Sequence, residues 1–317
     1  MRLSTTRLMA ISLIPIAYIC SYCLLSFYTE GDQIHYHKFY DALNGARIDE
    51  IMILALTYVS SAEPLSAFIL WLGSNLGFEK NIYISILNVI MLVSLFLLAR
   101  QHRVKALMCF LLLTNFYVVV LMTGAERLKI SYIFLILAAL FAGRMRLLLL
   151  SLSPLAHFQS VLVLLSVITT SFEDFIKKLI FRFSISKRAI KSLLLLSCVV
   201  VIFGYFLSED ILRKAMGYAS GEVLFFELVN AGILCVIALY VTHRRIRMFL
   251  VFFTLMPAIA ILGGARVNMI AFTLVIYYLM EERRLHHPLI YLLMIYFSIK
   301  TVTFVNGIFL YGDGFAS

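Results

Sequence analysis

Apolar positions along this chain come in long unbroken runs, not in strand-like alternation or in narrow amphipathic stripes. Such runs, bounded by charge, predict helices that cross a membrane, each needing about 20 apolar residues. They fall at about 8–27, 81–99, 105–122, 128–143, 190–208, 222–242, 246–263, 267–281 and 288–307. Two further apolar stretches fit no full crossing. Residues 63–78, EPLSAFILWLGSNLGF, begin and end on one side, and residues 147–171, LLLLSLSPLAHFQSVLVLLSVITTS, begin and end on the other. In the second, Pro154 removes a donor and crowds the preceding turn, so the chain is expected to rise, turn at SPLAHFQS and return. Both stretches are expected as broken or re-entrant hairpins. Irregular backbone at membrane depth is tolerated only where protein buries it or water lines it, which points to an outward-facing cavity. The expected fold class is an all-α polytopic membrane protein of about nine full spans plus two such hairpins.

Composition agrees: 62% of the 317 residues are hydrophobic, and mean hydropathy is +0.98. Soluble domains are only about half apolar. Residues 1–317 are expected to form a single integral membrane domain, because no linker or repeat interrupts the pattern. The first run lacks a convincing small-residue cleavage site, so it is expected to be retained as a span. All five cysteines lie inside apolar runs and suggest no metal or redox site.

Charge sets the expected topology. A formal net charge of +10 would suggest nucleic acid in a soluble chain; here the basic residues sort by loop. Clusters at Arg2/Arg7, RQHRVK (100–105), GRMR (143–146), 177–191, HRRIR (243–247) and EERRLHH (281–287) are assigned to the cytoplasm. The segment 172–191 reads as a basic cytoplasmic amphipathic stretch. The N-terminus is then inside and the C-terminus outside, with the acidic residues concentrated on the outer face.

That outer face carries the candidate chemistry. A long connection, 28–62, holds Asp32, His35, Tyr36, His37 and Tyr40. Long connections in compact folds tend to be functional, and the aromatics here argue against disorder. Arg127, Lys129, Arg213, Lys214 and Arg266 add cations at outer turns. Arginine grips phosphate with two parallel donors where lysine acts as a point charge, so Arg127 and Arg266 are candidates to hold a diphosphate. His157 lies in the turn of the inner hairpin, where an ionisable group marks a functional hypothesis. Glu63 before Pro64 reads as a helix start. The pair His35/His37 would suit a metal on a strand, but no third ligand is fixed by spacing, and no metal or other cofactor is expected.

The ordered motifs resemble those of the Wzy/EpsG-like polysaccharide polymerases. EGDQIHY is similar to that family's G-[ST]-D-x-x-x-Y element, matching Asp32 and Tyr36; AEPLSAFILWLGSNLGF resembles its E-P-x-[FY] segment, matching Glu63. ERLKISYIFLILAAL resembles its R-Q-x-[ILA]-A helix and gives Arg127, with Leu128 in place of Gln. GRMRLLLLSLSPLAHFQSVLVLL resembles its H-x-S-A hairpin and gives His157, although Phe-Gln-Ser follows here; LRKAMGYAS resembles its K-x-x-x-Y stretch, with Lys214 and Tyr218.

The resemblance implies a GT-C-like, metal-independent glycosyltransferase of the bacterial inner membrane, active on the periplasmic face. It would transfer a growing glycan from undecaprenyl diphosphate to a lipid-linked repeat unit, making O-antigen or capsular polysaccharide. Expected partners are those donor and acceptor lipids, membrane lipids and a Wzz-like chain-length regulator, with no nucleic acid. In this scheme Arg127 and Arg266, with Arg213 as a third cation, stabilise the leaving diphosphate. Asp32 is the first candidate base and His157 the second. Tyr36, Tyr40, Glu63, Lys214 and Tyr218 contact substrate. A lipid-linked glycan flippase would use the same cationic cavity without chemistry. An O-antigen ligase would carry a larger late periplasmic loop than residues 208–221 provide.

Overall fold

The computed structural model describes residues 5–61, 63–170, 173, 222–262 and 264–316. Helices and short connections account for them, with no strand among the described residues. The chain divides into two compact units, Met1–Ser160 with Ile290–Ser317, and Val161–Leu289, where the sequence suggested one integral domain.

The first unit is built on helix α1 (Thr5–Phe27) packed along α5 (Lys80–Gln101). Small residues at the seam, Ala10, Ala17 and Ser21 on α1 and Ser85 on α5, let the two backbones approach. Ser21 Oγ donates to Ser85 Oγ (3.1 Å), and Asn88 Nδ2 donates to Ser21 Oγ (2.6 Å) and to the Met122 carbonyl (2.8 Å). Between these helices lie α2 (Asp32–Ala42), α3 (Ile51–Val59) and α4 (Pro64–Asn75). Then follow α6 (Ala106–Leu113), α7 (Phe116–Thr123), and the closely packed pair α8 (Glu126–Leu140) and α9 (Gly143–Ala156). Ser131 and Ser153 hydroxyls, 2.7 Å apart, join α8 to α9. A 3₁₀ turn (Phe158–Ser160) and most of the last helix (Pro288–Tyr311) complete the unit.

Three helices are long and apolar enough to cross a membrane: α1, α5 and Pro288–Tyr311. The number rises to five if each of two bent pairs counts as one crossing. The described residues therefore hold three to five candidate spans and do not reach the nine expected. The expected crossing at 105–122 is broken into α6 and α7 with a 43° bend. Asn115 accepts from Tyr117 N–H (3.0 Å) and starts a new helix there. The expected crossing at 128–143 is a 15-residue helix, rising about 22 Å against a hydrocarbon core of about 30 Å. The run at 190–208 and the basic segment 172–191 lie, apart from Glu173, outside the described residues.

The connection 28–62 carries helices α2 and α3 in place of irregular loop. The bend expected within 63–78 falls before it, between α3 and α4, whose axes differ by 102°. Ser60 in the left-handed region (φ 48°) ends α3, and Pro64 at the first turn starts α4. In the inner stretch, α9 runs through Pro154 and ends at His157, whose extended backbone (φ −155°, ψ 122°) breaks the helix three residues later than the proline predicted.

The second unit packs α10 (Val161–Thr170), α11 (Glu222–Val241), α12 (Arg245–Leu262) and α13 (Gly264–Glu281) on one another. Helix α13 buries Val267–Phe272 and most of Leu274–Met280, as expected for an element surrounded by helices. Asn268 Nδ2 donates to the Glu227 carbonyl (3.0 Å) and to its carboxylate.

Candidate functional site

Four of the side chains singled out in sequence meet at one end of the first unit. The end itself is defined by packing. The amides of Thr29 and Glu30, just past α1, donate to the Gly312 carbonyl beyond the last helix (3.0 and 2.9 Å). Helices α5 and α8 begin at this end, and α9, antiparallel to α8, finishes there with His157.

Glu63 is the hub. As N-cap of α4 it makes no side-chain cap, and its carboxylate turns away from its own helix. Oε2 accepts from Arg127 Nη1 (2.9 Å) and from Ser61 Oγ (3.0 Å). Oε1 accepts from the Phe158 amide (3.1 Å) and lies 2.6 Å from His157 Nδ1, off the line of a regular hydrogen bond. Arg127 Nε donates to Tyr36 OH (2.9 Å). The Arg127 and Glu63 side chains are only 17% and 12% exposed, so their ion pair is poorly screened. Two of the five N–H donors of Arg127 are so engaged. Carboxylate, imidazole, guanidinium and phenol thus form one connected polar chain.

A second cluster lies directly behind it, from residues the sequence reading did not join. Gln33, Lys80, Glu126 and Lys129 are all buried. Lys129 Nζ donates to Glu126 Oε2 (2.9 Å) and the Met122 carbonyl (3.0 Å), and Lys80 Nζ lies 3.6 Å from Glu126 Oε1. Gln33 Nε2 donates to Glu126 Oε1 (3.1 Å) and to the Thr123 carbonyl, while Gln33 Oε1 accepts from Lys80. The sequence signal was faint: Glu126 and Lys129 are three apart, as are Gln33 and Tyr36, the spacing of helical neighbours.

Asp32 is exposed in the first turn of α2. Tyr40 faces the hydrophobic core with Phe39, Leu43, Leu70 and Ile84, and its hydroxyl donates to the Phe78 carbonyl (3.1 Å); it is a packing residue and not an open sugar platform. His35 and His37 sit on a helix, where residues two apart face different ways, so the strand-type metal pair does not form. Burial, then the Lys80 ammonium, hold His37 below its ordinary value. Burial and the neighbouring Asp313 carboxylate push the Tyr28 phenol far up, keeping it a neutral donor to Asp313 Oδ1 (3.0 Å). Arg266 is exposed in the first turn of α13, in the second unit, whereas Arg127 belongs to the first. Arg213, Lys214 and Tyr218 lie outside the described residues.

No family model matches the chain. No curated protein and no solved structure matches it either.

Proposed function

We propose that the protein is a polysaccharide repeat-unit polymerase of the Wzy/EpsG kind. It joins undecaprenyl-diphosphate-linked oligosaccharides by glycosyl transfer at the periplasmic face of the inner membrane. The proposal includes an arrangement of about nine crossings of the GT-C type, with N-terminus inside, and a Wzz-like regulator as partner. The observation that carries it is the position of Glu63, one oxygen on Arg127 and the other beside His157. These three side chains come from three separate motifs of the resemblance.

In the proposed reaction an acceptor sugar hydroxyl attacks the anomeric carbon of the donor glycan. The bond from that carbon to the diphosphate oxygen breaks, and the electron pair leaves with the diphosphate. Arg127, fixed by Glu63 and Tyr36, meets the charge that builds on the leaving group; preorganised cations are most effective in a dry site. His157 takes the hydroxyl proton on Nε2, with Nδ1 turned to Glu63, which stabilises the imidazolium that forms. Gln159, whose Oε1 lies 3.3 Å from Nε2, yields that position to the acceptor. This makes His157, in place of Asp32, the first candidate base.

The test is a deletion strain complemented with this chain, its surface glycans resolved as a ladder. Wild type restores the ladder, while His157→Asn and Arg127→Ala, inserted at normal level, do not. Ladder formation by both variants would overturn the assignment. Lipid-linked units that cross the bilayer but remain single would favour the flippase reading.

A further inference from the structure

We infer that Gln33 is a positioning residue for Arg127, acting through the buried Lys80–Glu126–Lys129 cluster. Its consequence for substrate rests on the proposed reaction; its geometry does not.

Helix α2 meets the start of α8 at two successive rungs. Gln33 enters the ion cluster, and Tyr36, one turn on, accepts from Arg127 Nε. On α8, Glu126 and Lys129 turn to the Gln33 rung while Arg127, between them, turns to the Tyr36 rung. The direction in which Arg127 points is therefore set jointly by Glu63 and by where α2 docks. Gln33 is the α2 group that ties this docking to the ion cluster. Both ends of its amide are engaged: the oxygen accepts from Lys80, and the nitrogen donates to Glu126 and Thr123.

The surroundings make that amide hard to replace. Gln33, Glu126 and Lys129 are 0% exposed and Lys80 is 4% exposed. Two ammonium groups face one carboxylate here, so any lost acceptor leaves a buried cation short of partners, which is costly. An apolar side chain at 33 would keep the volume and lose all three hydrogen bonds. A carboxylate at 33 would satisfy Lys80 but repel Glu126. Exchanging the two groups, with Glu at 33 and Gln at 126, restores an amide donating to a carboxylate across the same gap and leaves an amide oxygen for Lys129, at the cost of the donor to the Thr123 carbonyl. That exchange distinguishes a positioning contact from general packing.

The experiment uses the full chain in detergent micelles with two readouts. The first needs no ligand: deuterium exchange at the Arg127 Nε–H, seen with ¹⁵N-arginine and assigned by its loss in Arg127→Lys. The second is the Kd for farnesyl diphosphate as a prenyl diphosphate probe. Gln33→Met is expected to speed the exchange and raise the Kd, each about tenfold, the scale of coupled buried contacts. Gln33→Glu/Glu126→Gln is expected to return both to within about threefold of wild type, although Gln33→Glu alone does not. Unchanged exchange in Gln33→Met, or a double exchange no better than Gln33→Glu, overturns the inference. Should Gln33→Met fail to fold, the comparison of Gln33→Glu with the double exchange decides alone. If exchange responds as expected but wild type binds no farnesyl diphosphate, the positioning stands and the diphosphate reading falls.

Discussion

Arg127 Nη1 and Glu63 Oε2 are 2.9 Å apart although 64 residues separate them in sequence. The pair fastens the start of α8 to the break between α3 and α4. It also orients the guanidinium whose remaining donors face an anion in the proposed reaction.

That pair should be energetically coupled. Removing one partner strands the other charge in a poorly solvated place, so Glu63→Gln and Arg127→Ala should each lower stability. The double variant should lose less than their sum. A cycle measured by SDS-titrated unfolding in mixed micelles is expected to give a coupling of about 1–3 kcal/mol. Additivity within error would mean the contact contributes nothing to holding these elements together.

The two candidate bases should separate. His157 touches Glu63, whereas Asp32 is exposed at the start of α2. His157→Asn is expected to reduce polymer formation about 10²–10⁴-fold, the usual contribution of a general base. Asp32→Asn should cost much less. A rate assay on lipid-linked units with both variants checks this, and a larger loss in Asp32→Asn would restore that residue as the base.

His37 should make stability depend on pH in one direction. Its imidazole is held below the ordinary value of 6.5 by burial and by Lys80. The unfolded chain then binds a proton that the folded chain resists. The contribution of neutral His37 is complete above about pH 6.5 and is lost as pH falls through and below it. The thermal midpoint of wild type should therefore drop more steeply between pH 7.5 and 5.5 than that of His37→Gln. Parallel curves would remove His37 as the cause.

Gly31 should resist substitution more than Gly45. Both have positive φ, +60° and +74°, which costs a side chain about 1–2 kcal/mol. A Cβ at Gly31 would also lie 2.9 Å from the Asp313 carboxylate, while none would meet anything within 4 Å at Gly45. Gly31→Ala should lower the thermal midpoint more than Gly45→Ala. Equal losses would show that the C-terminal segment gives way freely.

Local features of the sequence were sufficient for some of this architecture. Unbroken apolar runs require helices whose backbone groups satisfy one another, and α1, α5 and the last helix appear where the runs lie. An acid followed by proline marked the start of α4, because proline suits a first turn that needs no N–H. Tyr36, Glu63, Arg127 and His157 were legible as polar residues in greasy or aromatic surroundings. Other features depended on contacts that no local pattern encodes. Helix α2 was hidden in a polar, aromatic connection, and α3 is a nine-residue apolar run, IMILALTYV, too short to read as a crossing; both pack on α4. Tyr40 reads in sequence as a sugar platform, whereas the fold buries it in the core cluster that includes Leu43 and Ile84.

The candidate site itself was decided at the tertiary level. Periodicity relates residues three or four apart, whereas Glu63 reaches Arg127 across 64 residues and the Phe158 amide across 95. Those distances are closed by the packing of α4 on α8 and α9. Sequence supplied the charged groups; only the docking of α2, α4, α8 and α9 determined which charges neutralise one another, because such pairs form across distances in sequence that no local pattern spans.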